Sequence, residues 1–295
     1  MRTGTRLLAF PLIVGLAAAA PLPATADAPG ADAAVEWMYS KTLDSGLIES
    51  FPGWGDVGLT FDSILAGAAT DAPREMIDKW VAGTEADFYD KYVWDEGDGL
   101  RWTPGVVGKA VVALDAVGVS TTDFAGTNPQ DLAVESLTLG AEPGWVGAPD
   151  DPTGSNAFAQ ALVMMAVART GDLPAEPVEF VAAKQCDDGG FPMFFQTGKS
   201  CAEAGSSSDP DGTALITMAL LAAKADGVAA ADAPLQKATS WLVSMQRDNG
   251  SYFGAVPWTA VENTNSTGLI SGVLAGINAG VAADAATWVS SLQVP

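Results

Sequence analysis

The stretch from Trp241 to Gly280 decides the fold. It reads Trp241-Leu-Val-Ser-Met-Gln246, then the turn Asp248-Asn249-Gly250, then a loop with Tyr252, Phe253 and Trp258. A small-residue helix is expected next, over Thr267 to Ala279. The preceding segment has the same plan: Phe180 to Gln185, then Asp187-Asp188-Gly189-Gly190-Phe191, then Thr213 to Leu220. Laid over each other, Gln185 falls on Gln246 and Gly189 on Gly250, both 61 residues apart; Thr213 falls on Thr267 and Leu220 on Leu274, both 54 apart. A recurring unit of this kind cannot bury its apolar face alone, so neighbouring copies must stack.

Working outward, a marker two residues before the aligned threonines is Asp211 in the fourth copy and Asn265 in the fifth. Earlier equivalents are expected at Asp56, Gly105 and Ser155, giving intervals of 49, 50, 56 and 54 residues. Each copy predicts two helices. The first is amphipathic: Ala33 to Lys41, Pro73 to Ala82, Gln130 to Leu139, Pro177 to Lys184 and Leu235 to Gln246, with apolar residues every three or four positions. The second is apolar nearly all round: Val57 to Ala68, Val106 to Val117, Ala157 to Ala168, Thr213 to Ala223 and Thr267 to Ala279. A helix apolar on every side is buried on every side. One-faced helices alternating with fully buried ones predict an outer and an inner ring, with all the long Gly, Asp and aromatic loops on one rim. Strand patterns are scarce, so the chain reads as all-α. Trp288 to Gln293 repeats the spacing of Trp241 to Gln246, and no sixth inner helix follows. The expectation is eleven helices, with exposed apolar faces on the first and fifth inner helices that favour self-association.

At these residues the sequence resembles the prenyltransferase and squalene-oxidase repeat family, in an exported bacterial form. The resemblance rests on the Gln-x-Asp-x-Gly-x-aromatic turn (Gln185 to Phe191, Gln246 to Tyr252) and on the Asp/Asn-x-Thr-x-Leu start of the inner helix. It implies an α/α toroid, close to an α6/α6 barrel. Proteins of that architecture include class II terpene cyclases, protein prenyltransferase β subunits, thioester domains of complement proteins and cobalamin carriers. Fold alone does not choose among them.

The chain has 295 residues, 48% of them hydrophobic, enough for a sizeable core. Its first 26 residues read as a secretory signal peptide: Arg2 and Arg6, an apolar run from Leu7 to Ala20, and the small-residue site Ala24-Thr25-Ala26. A linker over 27–32 and a toroid over 33–295 follow. The mature protein is then expected outside the cell, with no transmembrane segment. Loss of the two arginines leaves 14 − 2 = 12 basic residues against 36 acidic ones, a net charge of −24. Such a surface repels phosphate backbones and excludes nucleic-acid binding. Cys186 and Cys201, the only cysteines, are expected to pair in an exported protein.

The chain has no histidine, which excludes Ser-His-Asp and Cys-His catalysis and His-bearing zinc sites. No thioester motif and no cofactor-binding motif is present. Asp-Gly clusters at 95–99 and 187–190 are oxygen-rich, but neither matches an EF-hand loop, so no metal site is assigned. Class II terpene cyclases carry Asp-x-Asp-Asp-Thr-Ala, whose middle Asp protonates an alkene. The aligned stretch here is Asp209-Pro210-Asp211-Gly212-Thr213-Ala214, with Asp211 at the acid's position and Gly212 replacing its neighbour. The rival expectation is helix capping, with Asp209 as N-cap and Pro210 at the first helical position. Asp151-Pro152 and Thr103-Pro104 suggest the same device before the third and second inner helices. The rim aromatics Trp102, Trp145, Phe194, Phe195, Tyr252 and Trp258 are candidate ligand contacts, with wedging between repeats as the alternative. The expected function is therefore an exported, non-catalytic toroid that binds a small molecule, a glycan or a protein, possibilities that include a cobalamin-carrier-like role. A terpene-cyclase-like enzyme with Asp211 as general acid is the alternative.

Overall fold

The computed structural model describes residues 30 to 294, apart from 170, 172 and 258. The signal peptide expected at 1–26 and the side chain of Trp258 lie outside the described residues. The outer helices are α1 (Ala31–Ser40), α3 (Arg74–Tyr92), α5 (Pro129–Ser136), α7 (Glu176–Lys184), α10 (Asp232–Ser244) and α12 (Ala279–Ser291). The inner ones are α2 (Val57–Ala69), α4 (Pro104–Ala116), α6 (Ala157–Ala168), α9 (Pro210–Ala225) and α11 (Thr264–Leu274). These are the eleven expected. A four-residue turn, α8 (Cys201–Ala204), stands on a rim loop. The fold is an all-α toroid.

Inner helices pack side by side in the order α2, α4, α6, α9, α11, each with an outer helix behind it. Small residues permit the close approach. A Cβ on Gly108 of α4 would stand 2.7 Å from the backbone of Leu162 and Val163 in α6. Ala161, Met164, Ala214 and Leu220 are fully buried, and burying a leucine-sized side chain stabilises by roughly 1.5–3 kcal/mol.

Two short antiparallel hairpins interrupt the helical plan. β1 (Ile48–Phe51) pairs with β2 (Trp54–Asp56), and β3 (Val93–Asp95) with β4 (Leu100–Trp102). Both sit on the rim, where three- and four-residue pairings leave too little alternation to be read from sequence. Two helix ends also differ from expectation. α3 runs to Tyr92 rather than Ala82, because Gly83 does not end it; its missing Cβ admits the backbone of Gly46, 2.5 Å from where that Cβ would stand. The helix expected to end at Ala279 stops at Leu274, and Asn278 caps a new helix by accepting the Val281 N–H.

The rim turn recurs more often than the sequence comparison showed. Gly46, Gly144, Gly189 and Gly250 all have positive φ, between 79° and 100°. Each packs on the next outer helix: a Cβ would meet the backbone oxygens of Lys79, Glu176, Lys237 and Asp284 at 2.1–2.9 Å. Two residues on, the backbone N–H of Ile48, Phe191 and Tyr252 donates to the hydroxyl of Thr60, Thr213 and Thr267 at 2.8–3.0 Å. In the third copy, the Val146 N–H donates to Gln160 Oε1 instead, at 2.9 Å. One polar side chain, in the first turn of the inner helix, thus ties down each of these four rim turns. In the second copy the β3–β4 hairpin takes the turn's place, and Val107 stands where the others carry the acceptor.

The ring closes through its outer layer. Gln185 Nε2 donates to Pro234 O in the next outer helix, and Gln246 Nε2 to Val281 O. Gln293 repeats the device after α12, donating to Gly30 O at the start of α1. Inside that seam no sixth inner helix separates α11 from α2. The free face of α11 is glycine, at Gly268, Gly272 and Gly276, with no atom of a described residue near their Cβ positions. On the α2 side Leu59 is exposed. The expected apolar strip is therefore in large part bare backbone.

Candidate functional site at the mouth of the ring

The inner helices begin at the rim, and a side chain marks most of their starts. Asp56 accepts the Leu59 N–H, Asn156 those of Phe158 and Ala159, Asp209 that of Gly212 at 2.7 Å, and Asn263 that of Ser266. These caps correct the sequence register. Asp56 is itself a cap, so the first-copy equivalent of Asp211 is Gly58, and the third-copy equivalent is Phe158. Asp151-Pro152 is not a helix start: Asp151 accepts the N–H of Thr153 in a turn five residues before the α6 cap. Thr103-Pro104 does open α4, although the Thr103 side chain makes no capping bond.

Asp209 and Asp211 thereby separate into two roles. Asp209, 5% exposed, is the N-cap of α9. Asp211 takes no backbone N–H of its own. Its Oδ1 is shut off from solvent and has no hydrogen-bond partner. Burial pushes the Asp211 carboxyl above the ordinary carboxylate range, and the Ser266 hydroxyl of α11 draws it partly back. Burial raises Asp209 as well; the Gly212 N–H opposes this and the Asp211 charge adds to it.

Asp211, Leu215 and Met218 are half-buried at helical spacing along one face of α9, as Phe158 and Leu162 are on α6 and Leu269 on α11. The flanks of these helices meet their neighbours and their backs meet the outer layer. The remaining face looks into the ring. Asp62 of α2 and Lys109 of α4 pair across adjacent inner helices at 2.8 Å.

The candidate aromatics divide sharply. Trp145 is 1% exposed, stacks on Phe180 at 5.5 Å, meets the edge of Phe195, and donates its indole N–H to Ser155 O. Above this cluster Lys184, buried beside Glu142 at 2.9 Å, also binds the carbonyls of Gln196 and Lys199. Tyr252 is buried, and its hydroxyl has no partner. These three rings wedge the rim loops in place. Phe194 is 60% exposed. Trp102 donates its indole N–H to Ser136 Oγ and turns its ring toward a cavity.

That cavity, of about 520 Å³, opens at the rim between the first turns of α4 and α6. The β3–β4 hairpin and the loop around Asp150 roof it. Trp94, Trp102, Phe158 and Leu162 form apolar walls, and Arg101, Lys109 and Asp151 bring charge. Sequence reasoning missed it, because Trp94, Phe158 and Leu162 converge from different copies. Asp211 is not among its lining residues. Cys186 and Cys201 form a disulfide across the loop of the fourth copy. Among the described residues, no three acidic or cysteine side chains gather as a metal shell, and no helix is long and apolar enough to cross a membrane.

No protein-family model matches the chain, and no curated protein does. Solved structures do. The chain is similar to the type II terpene cyclase MstE from Scytonema, with TM-score 0.62 and 18% identity over 90% of this chain and 78% of that one. A variant of that cyclase in complex with geranylgeranyl dihydroxybenzoate, its substrate, aligns over the same shares with TM-score 0.60 and 14% identity. At such identity the likeness concerns the fold, which is that of the terpene cyclases.

Proposed function

We propose that the protein is a terpene-cyclase-like enzyme acting on an apolar, isoprenoid-type chain held inside the ring, with Asp211 as proton donor. The observation that carries this reading is the Asp211 carboxyl. It lies on the inward face, one oxygen is buried without a partner, and burial favours its protonated form. The likeness in fold to type II cyclases supports the same reading. The proton on Asp211 would add to a terminal alkene carbon and leave a tertiary cation. Neighbouring double bonds would then attack in turn, and a final proton loss would return the balance to zero. The apolar wall of Phe158, Leu162, Leu215 and Met218 would exclude water that could quench the cation.

Purified protein incubated with geranylgeraniol, squalene and geranylgeranyl dihydroxybenzoate should convert at least one to a cyclic isomer, detected by gas or liquid chromatography with mass spectrometry. Asp211→Asn should lower the rate by about 10²-fold or more, the usual weight of a general acid. Equal rates for the two proteins would remove Asp211 from the chemistry.

The non-catalytic toroid remains a second reading, favoured by Gly212. The carboxylate that cyclases place next to the acid is absent here, and a Cβ at this position would already lie 3.2 Å from Ala157 Cβ. Saturable binding of the same chains, with no product and no effect of Asp211→Asn, would select it.

A further inference from the structure

The cavity between α4 and α6 carries a charge arrangement that bears on which head group an apolar chain brings to the ring. This inference rests on the isoprenoid reading above and narrows its substrate class. Two cations line the cavity, and neither is free. Arg101 Nε lies 2.5 Å from Asp150 Oδ2 and Nη2 lies 3.0 Å from Asp98 Oδ1, with Glu96 at 3.9 Å. Lys109 is engaged by Asp62 at 2.8 Å. Counting these partners with Asp151, five carboxylates surround two cations. The remaining surface is the aromatic and aliphatic wall, interrupted by polar groups at Ser155 and Asn156.

We infer that this cavity receives the uncharged, hydrogen-bonding head of an isoprenoid chain, an alcohol or phenol, and turns away chains with anionic heads such as diphosphates. A diphosphate would have to displace carboxylates already paired with Arg101 and Lys109, and would meet the surplus acids at close range. A hydroxyl head meets neither obstacle. It finds acceptors at Asp151 and Asn156, and its first isoprene units lie on Trp94 and Phe158. From there the inward faces of α6 and α9 lead past Leu162 and Leu215, on the same wall as Asp211.

The test compares three chains of equal length that differ only in the head: geranylgeraniol, geranylgeranylamine and geranylgeranyl diphosphate. Equilibrium binding to the full protein is measured by calorimetry at low and at high salt. At low salt the alcohol and the amine should bind at least about tenfold more tightly than the diphosphate, with the gap closing in high salt as the charges are screened. Trp94→Ala should weaken the alcohol. Asp98→Asn combined with Asp150→Asn frees Arg101 and should recover most of the lost diphosphate affinity. Diphosphate binding as tight as the alcohol at low salt would overturn the charge inference and leave the isoprenoid reading standing. An alcohol that binds tightly but ignores Trp94→Ala would place the head elsewhere and overturn it too. Failure of all three chains to bind would overturn both.

Discussion

At the residue scale, Thr213 and Thr267 show how much one hydroxyl can hold. Each is fully buried and accepts the N–H of a rim residue, Phe191 or Tyr252. Replacement by valine keeps the volume and orphans that N–H, at a cost of about 1–3 kcal/mol each, measurable by urea unfolding. Gly250→Ala should cost a similar amount, about 1–3 kcal/mol, because φ is 88° and the new Cβ would press on Asp284 O. Asp211 is the opposite case, a residue whose removal should stabilise. Its folded-state pKa is raised, so the stability linked to it is present below the unfolded-state pKa and lost as pH rises through the folded one. Asp211→Asn should therefore melt above the parent at neutral pH, and the difference should fade toward about pH 4, where both states carry the proton. Circular dichroism melts at several pH values would show it. A parent more stable than the variant at neutral pH would mean that the carboxylate has a partner after all. Glu142 runs the other way. Burial alone would raise it, but Lys184 and the Gly198 N–H bring it below the ordinary range, so its support is lost as pH falls through that lowered value.

At the scale of elements, the rim loops depend on staples. The loop of the fourth copy is held by the Cys186–Cys201 bridge, by Lys184 on the carbonyls of Gln196 and Lys199, and by Glu142 on the Gly198 N–H. Cys186→Ser with Cys201→Ser should cost about 3 kcal/mol on the loop-entropy estimate for a 15-residue separation. The urea midpoint of the parent should fall by the same amount under reductant, while that of the double variant stays put. Most helices were legible from their apolar spacing, α6 to the residue, because burial on all sides leaves a continuous apolar run. The rim was less legible. The turn's defining parts are a positive-φ glycine and a polar side chain about 12–22 residues away, and no local pattern links them. The glutamines at 185 and 246 drew the eye, yet the first and third copies keep the turn without them.

At the scale of the molecule, 36 acidic residues against 14 basic ones repel one another within a single ring. Raising salt from about 20 mM to about 500 mM shortens the Debye length to a few ångströms and should raise the thermal midpoint by several degrees. An unchanged midpoint would show that the acids are already neutralised by local partners. The seam is where the ring has least to lose on opening. It carries the Gln293–Gly30 bond in the outer layer and bare glycine on α11 within.

The repeat plan, the alternation of amphipathic and apolar helices, the eleven-helix count and the cysteine pairing follow from the order of residues alone. Each depends on spacing along the chain or on composition, and spacing is what a sequence records. Only the folded ring assigned the cap of α9 to Asp209 and left Asp211 without one. Only the fold turned Trp145 and Tyr252 into wedges, and gathered Trp94, Phe158 and the paired Arg101 around one cavity. Those outcomes depend on which copy lies against which, and on how far each side chain is from water; distances across a ring have no counterpart along the chain.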